Sequence, residues 1–530
     1  MQKLNQKIAK QKGAALIVFA LLIVLTATAF LVSVLDGRSL KIEQNKKTLV
    51  ALSEAKSALI GFALKSGQMT GLARPGDLPC PDANNDGSSE PSCIGNAMGR
   101  LPWKTLGISD LRDSANERLW YAVSTQFKRN PITPMLNSDT FGSISLRDSE
   151  GQIVKNGTMI SAAIAVLIAP GSPLTRQDGL TQNRTLANIN NSVHYLDNFD
   201  SANNSKDEDN SEFIGSTTNG FIDGPIKNGI GADMVNDHIV AIGYNDLMPL
   251  IEKRVAGEIK KRIKTFGGLP WAAPFINPTI SNNNFAPVNG VNGGLLPAYP
   301  HYWNIFDSQP LAAYLTRMGT VANADLTSGF VEPGYCSNIG AQIICSGRKK
   351  IQGDTVWRTI SINITGTLNV NNSFASAPMN GTLTITDTRI SDGVVLGSGS
   401  ITPTPTTEIL IRPQVSTLFP QWLTANNWHQ LAYYSVATPF AYSSSSPAVC
   451  GTCLSVMQNG VTINNIGSVV MIAGRKLDAT DKNFLIPQNR PSDNLDDYFD
   501  TANNSSGGIA FESRRVITPT FNDQLVIIEQ

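Results

Sequence analysis

The longest apolar stretch of the chain lies near its amino terminus. Residues 14–35 carry no charged side chain, and their number is close to the roughly 20 that a helix needs to cross a bilayer. Residues 36–66 keep apolar positions at helical rather than alternating spacing, and Gly67 follows as an end signal. The pattern predicts one helix over residues 14–66, with a transmembrane first half and a stalk that leads into a head.

A different pattern occurs in the middle of the chain. Residues 265–310 are rich in Pro, Gly, Asn and aromatic residues, which is typical of irregular, packed loops. Residues 351–415 show short alternating runs of Thr, Ile and Val between Asn and Gly turns, which favours antiparallel strands. We therefore predict that residues 266–418 combine aromatic and Pro-rich loops with a β-rich, sandwich-like insertion.

Four short segments recur later in the chain in the same order, which indicates an internal duplication. The matching pairs are 120–123 with 433–436, 166–169 with 470–473, 199–205 with 499–505, and 236–240 with 522–526.

The predicted fold class is α+β: a long N-terminal transmembrane and stalk helix, then a duplicated antiparallel α+β head with the β-rich insertion. The predicted domains are a leader (1–13), the helix (14–66), a first head module with long loops (67–265), the insertion (266–418) and a second module (419–530).

The charge of the chain is balanced overall but unevenly distributed. Its 42 Lys plus Arg match 42 Asp plus Glu, so bulk nucleic-acid binding, which needs clustered positive charge, is excluded. Its 41% hydrophobic residues are enough for a core. Residues 1–47 carry a net charge of +6, from eight basic and two acidic residues, and the remainder carries −6, from 34 and 40. This asymmetry predicts a cytoplasmic amino terminus and a head on the other side of the membrane.

The leader ends at a distinctive junction. Residues 1–13 hold four Lys and no acid, and Gly13 is followed directly by Ala14 and the apolar helix. This arrangement resembles the class III signal of type IV pilins and type II secretion pseudopilins. The resemblance implies cleavage by a prepilin peptidase between Gly13 and Ala14 and methylation of the new amino terminus. It also implies packing of the helix against other pilin subunits and a single-pass place in the lipid bilayer of a bacterial inner membrane, with the head periplasmic or on an extracellular fibre.

Two positions depart from the pilin pattern. Most pilins begin with Phe or Met after the cut, where this chain has Ala14, and most have Glu at the fifth mature position, where this chain has Val18. The missing Glu resembles the large pseudopilin at the tip of the fibre and some other minor pilins. The resemblance therefore implies a tip-associated subunit that acts in assembly, adhesion or substrate contact, in a pilus or a secretion system. A plain signal anchor and a cleaved secretory signal remain alternatives.

The six cysteines form three close pairs. Local pairing is the simplest expectation, because each pair flanks a turn-like segment, and outside the cytoplasm such pairs are oxidised. The last pair has the C-x-x-C spacing of redox sites but follows a Ser-rich loop rather than a strand, so a structural disulfide is favoured over redox chemistry. The predicted disulfide residues are Cys80, Cys93, Cys336, Cys345, Cys450 and Cys453.

One loop matches the start of a calcium-binding motif. Asp82, Asn84 and Asp86 alternate as in a D-x-N-x-D-G loop, and Glu90 stands at its ninth position. The twelfth position is Cys93 instead of the bidentate Glu, so a calcium ion would need ligands from elsewhere. The alternative is an Asn/Asp turn closed by a disulfide.

No catalytic motif is found in the sequence. A nucleophile elbow, a zinc-protease motif, a P-loop and a dinucleotide fingerprint are all absent. The dipeptides Asn236-Asp237 and Asn522-Asp523 occur in both copies. We expect their side chains to hydrogen-bond the backbone of the turn before the last strand. We therefore expect a non-enzymatic fibre subunit. The alternative is a membrane-anchored periplasmic calcium-dependent binding protein or enzyme with a duplicated domain.

Overall fold

A computed structural model provides the coordinates of the chain. The structure describes residues 2–66, 74–93, 97–129, 135–157, 161–199, 208–213, 220–264, 269, 291–296, 303–306, 330–331, 335–339, 342–350, 357–365, 375–378, 382–389, 394–401, 408–411, 419–440, 453–477, 487–490, 495–514, 516–518 and 520–530.

The chain is α+β and divides into two compact units. Unit 1 comprises Met1–Leu59, Pro79–Thr125 and Gly142–Ile242, and unit 2 comprises Ile60–Leu78, Gln126–Phe141 and Gly243–Gln530. The α-helices are α1 (Gln2–Ser66), α2 (Trp103–Leu106), α3 (Tyr244–Lys264), α4 (Gln421–Ala425) and α5 (Ala502–Ser505).

The strands form mostly small sheets. The first eleven strands are β1 (Ala97–Arg100), β2 (Trp120–Val123), β3 (Leu146–Arg147), β4 (Ile153–Lys155), β5 (Ala163–Ala169), β6 (Asn198–Phe199), β7 (Glu208–Asp209), β8 (Phe221–Ile222), β9 (Ile226–Lys227), β10 (Asp233–Val235) and β11 (His238–Gly243). The later strands are β12 (Val291–Leu295), β13 (Trp303–Phe306), β14 (Phe330–Val331), β15 (Tyr335–Ile339), β16 (Gln342–Lys350), β17 (Trp357–Thr365), β18 (Ala375–Pro378), β19 (Thr382–Arg389), β20 (Val395–Ile401), β21 (Glu408–Ile411), β22 (Ala432–Ala437), β23 (Leu454–Gln458), β24 (Val461–Ile466), β25 (Ser468–Ile472), β26 (Ala510–Ser513) and β27 (Gln524–Glu529).

The central sheet of unit 1 has the order β1-β2-β5-β11. Strand β5 is an uninterrupted apolar run that is buried along its whole length, as expected for a strand covered on both faces. The second half of α1 buries one stripe at helical spacing, and neighbouring positions of that helix stay exposed. The buried positions of the stripe in unit 1 are Thr48, Ala51, Leu52, Ala55 and Leu59.

Unit 2 repeats this arrangement with a second helix. Its sheet has the order β12-β22-β25-β27, and α3 contacts both β25 and β27. The buried positions of α3 include Glu252, Val255, Ala256, Ile259 and Ile263, which have the same spacing as the stripe of α1.

A lysine fixes each helix to the last strand of its sheet. Lys56 Nζ donates to the carbonyl oxygen of Ala241 at 3.0 Å, and Lys260 Nζ donates to that of Ile527 at 2.7 Å. Each acceptor is the fourth residue of its strand. The repeated unit therefore includes a helix as well as a sheet.

The predicted fold class needs correction. It required a transmembrane helix, but among the described residues no helix is long and apolar enough to cross a membrane. The chain is α+β, but its strands form mostly small sheets in place of the predicted sandwich-like insertion.

The strands between the two repeated sheets belong to two further sheets. Strands β14, β16, β17, β19 and β20 follow one another in a six-stranded sheet in which β15 also pairs with β16, and a three-stranded sheet has the order β13-β21-β18. All the pairs within these sheets are antiparallel, which fits the alternating Thr, Ile and Val pattern of the sequence.

The lysine contacts can be tested by substitution. We expect Lys56→Met and Lys260→Met each to lower the free energy of unfolding by about 1 kcal/mol, because each leaves a strand carbonyl without its donor. Urea unfolding of the full chain measures the change. The control is Lys47→Met at an exposed position of α1; a loss as large in this control would contradict the assigned role.

Candidate functional site

The first half of α1 exposes apolar side chains on all sides. Residues 16–28 are exposed throughout, with exposed fractions of 72% for Leu16, 66% for Phe19 and 61% for Leu25. We call residues 16–28 the exposed apolar segment. A helix that is apolar all round is normally buried, and a large exposed apolar surface marks an interaction site.

The polar groups of this segment are satisfied within the helix. Thr26 Oγ1 donates to the carbonyl oxygen of Leu22 at 2.9 Å, and Thr28 Oγ1 donates to that of Val24 at 2.8 Å. Such back-bonding leaves no hydroxyl hydrogen directed outward. The segment can therefore be covered by other apolar helices without losing a hydrogen bond.

The predicted processing site lies within the same helix. Gly13 and Ala14 both belong to α1, which runs unbroken from Gln2. The side chain of Ala14 lies outside the described ones, and cleavage between Gly13 and Ala14 stays a prediction.

The cysteines differ in how far the structure describes them. A disulfide joins Cys80 and Cys93. Cys336 and Cys345 lie directly opposite each other in the β15–β16 register, although their side chains are outside the described ones. Cys453 is disulfide-bonded, and Cys450 lies outside the described residues.

The calcium-like loop directs its oxygens at its own backbone. Asp82 Oδ2 accepts from the Gly87 N–H at 2.7 Å, Asn84 Oδ1 accepts from the Asp86 N–H at 2.9 Å, and Glu90 Oε1 accepts from the Ala83 N–H at 3.2 Å. The carboxylate of Asp86 accepts from the Ser88 N–H, and this bond lowers the pKa of Asp86.

Two cations also approach this loop. Arg118 donates to Asn85 and Lys104 donates to the carbonyl oxygen of Asp86, so positive charge already faces its oxygens. Among the residues that the structure describes, no group of three or more His, Cys, Asp or Glu side chains could hold a metal ion.

A network of buried polar side chains occurs once in each unit. We call it the carboxylate network. Its members are Gln182, Arg184, Asp197, Asn210, Asn236 and Asp237 in unit 1, and Gln488, Arg490, Asp500, Asn504, Asn522 and Asp523 in unit 2.

In unit 1 two aspartates connect a loop to the start of β11. Asp237 Oδ2 accepts from the Asp197 N–H at 2.7 Å and from Asn210 Nδ2 at 2.9 Å. Asp197 Oδ2 accepts in turn from the Asn236 N–H at 2.7 Å, and its Oδ1 accepts from Gln182 Nε2 at 2.8 Å. Each carboxylate thus accepts a hydrogen bond from a backbone N–H of the other aspartate or of the residue next to it.

In unit 2 the same bonds connect a loop to the start of β27. Asp523 Oδ2 accepts from the Asp500 N–H at 3.0 Å and from Asn504 Nδ2 at 2.9 Å. Asp500 Oδ2 accepts from the Asn522 N–H at 2.6 Å, and its Oδ1 accepts from Gln488 Nε2 at 3.1 Å. Every bond between network members in unit 1 therefore has a counterpart.

An arginine completes each network by binding the loop backbone. Arg490 donates to the carbonyl oxygens of Gly474 at 2.7 Å, Asp497 at 2.6 Å and Tyr498 at 2.7 Å, and to Gln488 Oε1 at 3.0 Å. Arg184 makes the matching bonds in unit 1, to the carbonyl oxygens of Gly171, His194 and Tyr195 and to Gln182 Oε1. Each guanidinium also lies over a tyrosine ring, Tyr498 or Tyr195.

Burial shifts the pKa values of all four aspartates upward. Burial raises the pKa of Asp197 to about 6 and also raises that of Asp500. The pKa values of Asp237 and Asp523 rise well above the usual range, first because both carboxyls are fully enclosed and second because a neighbouring aspartate repels their charge.

Sequence comparison located only part of this network. It found Asn236-Asp237 and Asn522-Asp523, but it matched Asp500 with Asp200, which lies outside the described residues. By hydrogen bonding, the counterpart of Asp500 is Asp197. The tripeptide Gln-Asn-Arg, at 182–184 and 488–490, is a signal that could have revealed the correct alignment.

The hydrogen bonds of the carboxylate network indicate a structural role. Most of its donors and acceptors are directed at each other and at the backbone, as expected where buried polar groups specify a loop conformation. No known protein family, curated protein or solved structure matches the chain.

The arginine contacts can be tested with a conservative substitution. We expect Arg490→Lys to lower the free energy of unfolding by about 2–3 kcal/mol, because a single ammonium cannot reach acceptors spread around a planar guanidinium. Denaturant unfolding measures the effect. Arg514→Lys is the control, since its side chain is 41% exposed; equal losses in the two variants would contradict this role for Arg490.

Proposed function

We propose that the chain is a minor pilin-like or pseudopilin-like subunit of a type IV pilus or a type II secretion-type fibre. One observation carries the proposal: the second half of α1 packs on unit 1 through its buried stripe, whereas the exposed apolar segment of the same helix is uncovered. A helix built in this way is anchored in a head at one end and able to dock on neighbouring helices at the other.

Apolar burial supplies the driving force of such an assembly. Removing one Leu, Ile or Phe side chain from water stabilises by about 1.5–3 kcal/mol. The exposed apolar segment contains Leu16, Ile17, Val18, Phe19, Leu21, Leu22, Ile23, Val24 and Leu25. Packing them together with the helices of other subunits therefore contributes far more than a surface polar contact could.

Processing fits the same physical argument. Residues 1–13 place four Lys on the helix immediately before the apolar stretch. Charged groups carried into an apolar helix bundle are costly unless they are paired. Cleavage between Gly13 and Ala14 by a prepilin peptidase would remove these lysines and leave an uncharged helix start.

The proposed role is structural rather than catalytic. The head would act at or near the fibre tip in assembly, adhesion or substrate contact, and the partners of the helix would be other pilin or pseudopilin subunits. The buried carboxylate networks support this role, because their oxygens are occupied mainly in fixing the head itself.

Assembly is tested by placing a charge in the exposed apolar segment. We expect Leu22→Asp to reduce the amount of the protein in sheared fibres at least tenfold, because a carboxylate would be buried between helices. Immunoblotting of the fibre and cell fractions measures it. Ile42→Asp is the matched control, since Ile42 lies on the same helix, is 70% exposed and falls outside the segment; unchanged incorporation of Leu22→Asp would refute the docking role.

Processing is tested by intact-mass measurement in a host with a prepilin peptidase. We expect the wild-type chain to lack residues 1–13, and Gly13→Val to retain them because the branched side chain blocks the scissile junction. Gly37→Val, on the same helix, should be processed normally. A wild-type chain that keeps its first 13 residues would contradict the proposal.

A further inference from the structure

In each aspartate pair, one residue accepts hydrogen bonds on both carboxyl oxygens and the other accepts them on only one. In unit 1, Asp197 has an N–H donor on each carboxyl oxygen. Asp237 has two donors on Oδ2, while its Oδ1 is buried and has no hydrogen-bond partner among the described residues. The side chain of Asp237 is fully buried.

Unit 2 shows the same inequality. Asp500 receives a donor on each oxygen, and Asp523 receives both of its donors on Oδ2. Asp523 Oδ1 is buried without a partner within the described part of the chain. An arrangement that occurs in both units of the chain is difficult to attribute to chance.

The charged groups around each aspartate pair favour one bound proton per pair. The groups that face Asp237 are Asp197, Asn210 and Arg184, and the guanidinium of Arg184 directs its hydrogens at carbonyl oxygens and Gln182. The groups that face Asp523 are Asp500, Asn504 and Arg490 in the same roles. Two adjacent buried carboxylates that share no direct cation cannot both stay ionised at low cost.

We propose that each unit binds one proton, on Asp237 Oδ1 in unit 1 and on Asp523 Oδ1 in unit 2, and that this proton stabilises the attachment of the last strand to its loop. Each pair is then one carboxylic acid and one carboxylate. Loss of the proton as the pH rises places two like charges beside each other and weakens the attachment. The contribution of the two pairs to the stability of the head is thereby greatest at acidic pH.

The raised pKa values determine the direction of this dependence. Above about pH 4 the unfolded aspartates have lost their protons, whereas the native pairs keep theirs because burial and mutual repulsion raise the pKa values of Asp237 and Asp523. The native state then binds more protons than the unfolded state, so stability falls as the pH rises, until the native carboxyls also deprotonate. Each retained proton changes the unfolding equilibrium constant about tenfold per pH unit.

Proton release on unfolding tests the proposal directly. The full chain is unfolded in guanidinium at pH 7 in weak buffer, and an indicator dye counts the protons. We expect the wild-type chain to release one proton more than Asp237→Asn or Asp523→Asn and two more than the double variant. In Asn the carbonyl oxygen can keep the Oδ2 bonds and the amide replaces Oδ1, at which no donor points.

The difference in proton release between wild type and the Asn variants reports on the aspartate pairs and not on other buried acids. Burial raises the pKa of Glu252 to about 8 and that of Asp77 to about 6, but both contribute equally in every variant. Asp233→Asn, at an exposed residue paired with Lys227, should release as many protons as wild type.

Equal release by the wild-type chain and the double variant would overturn the proposal. If an Asn variant does not fold, the proton of Glu252 is removed from the count by measuring Glu252→Gln. A release of two or more protons by that variant supports the proposal, and a smaller release overturns it.

Discussion

The attachment of the last strand to the preceding loop is the constraint on which both units depend. It brings two carboxyl groups into the interior, where each oxygen must find a donor or carry a proton. Asp237 and Asp523 stand directly before β11 and β27, so their bonds fix where these strands begin. The position of each strand in turn fixes the carbonyl that receives the lysine of the covering helix. Loop, strand and helix are therefore positioned by one set of buried polar contacts.

The same contacts explain why the two helices bury the same spacing of residues. A lysine that reaches the fourth residue of the last strand sets the rotation and height of its helix. The stripe of Ala51, Leu52 and Ala55 is then buried as Val255, Ala256 and Ile259 are. Apolar burial provides most of the stability, but apolar contacts alone do not fix the position of a helix along its neighbours. The lysine bond selects one position among several that would bury similar area.

The sequence predicted this organisation only in part, for physical reasons. Period and composition identified the helical spacing of residues 36–66 and the Asn-Asp steps, because these depend on local preference. They could not identify Asp197 as the counterpart of Asp500, since loops of different length bring these residues to equivalent places. For Asp82 and Asn84 they left two alternatives, ligands of a calcium ion or an Asn/Asp turn, and the structure directs these oxygens at backbone N–H groups. Competition between a ligand and the chain's own backbone depends on loop geometry, which residue spacing does not determine.

Chain connectivity distinguishes the two helices, although both bury residues at the same spacing. Strand β11 ends at Gly243 and α3 begins at Tyr244, so the second helix has no extension before its buried stripe. The first helix extends more than 40 residues before Thr48, the first buried position among its described side chains, and this part includes the exposed apolar segment. Duplication of the helix and sheet thus repeated the packed part of α1 without repeating its exposed apolar segment. In the proposed fibre, each copy of α1 would occupy one helix position and carry two units. The surface available for contact would then be larger, although the assembly accommodates only one helix per subunit.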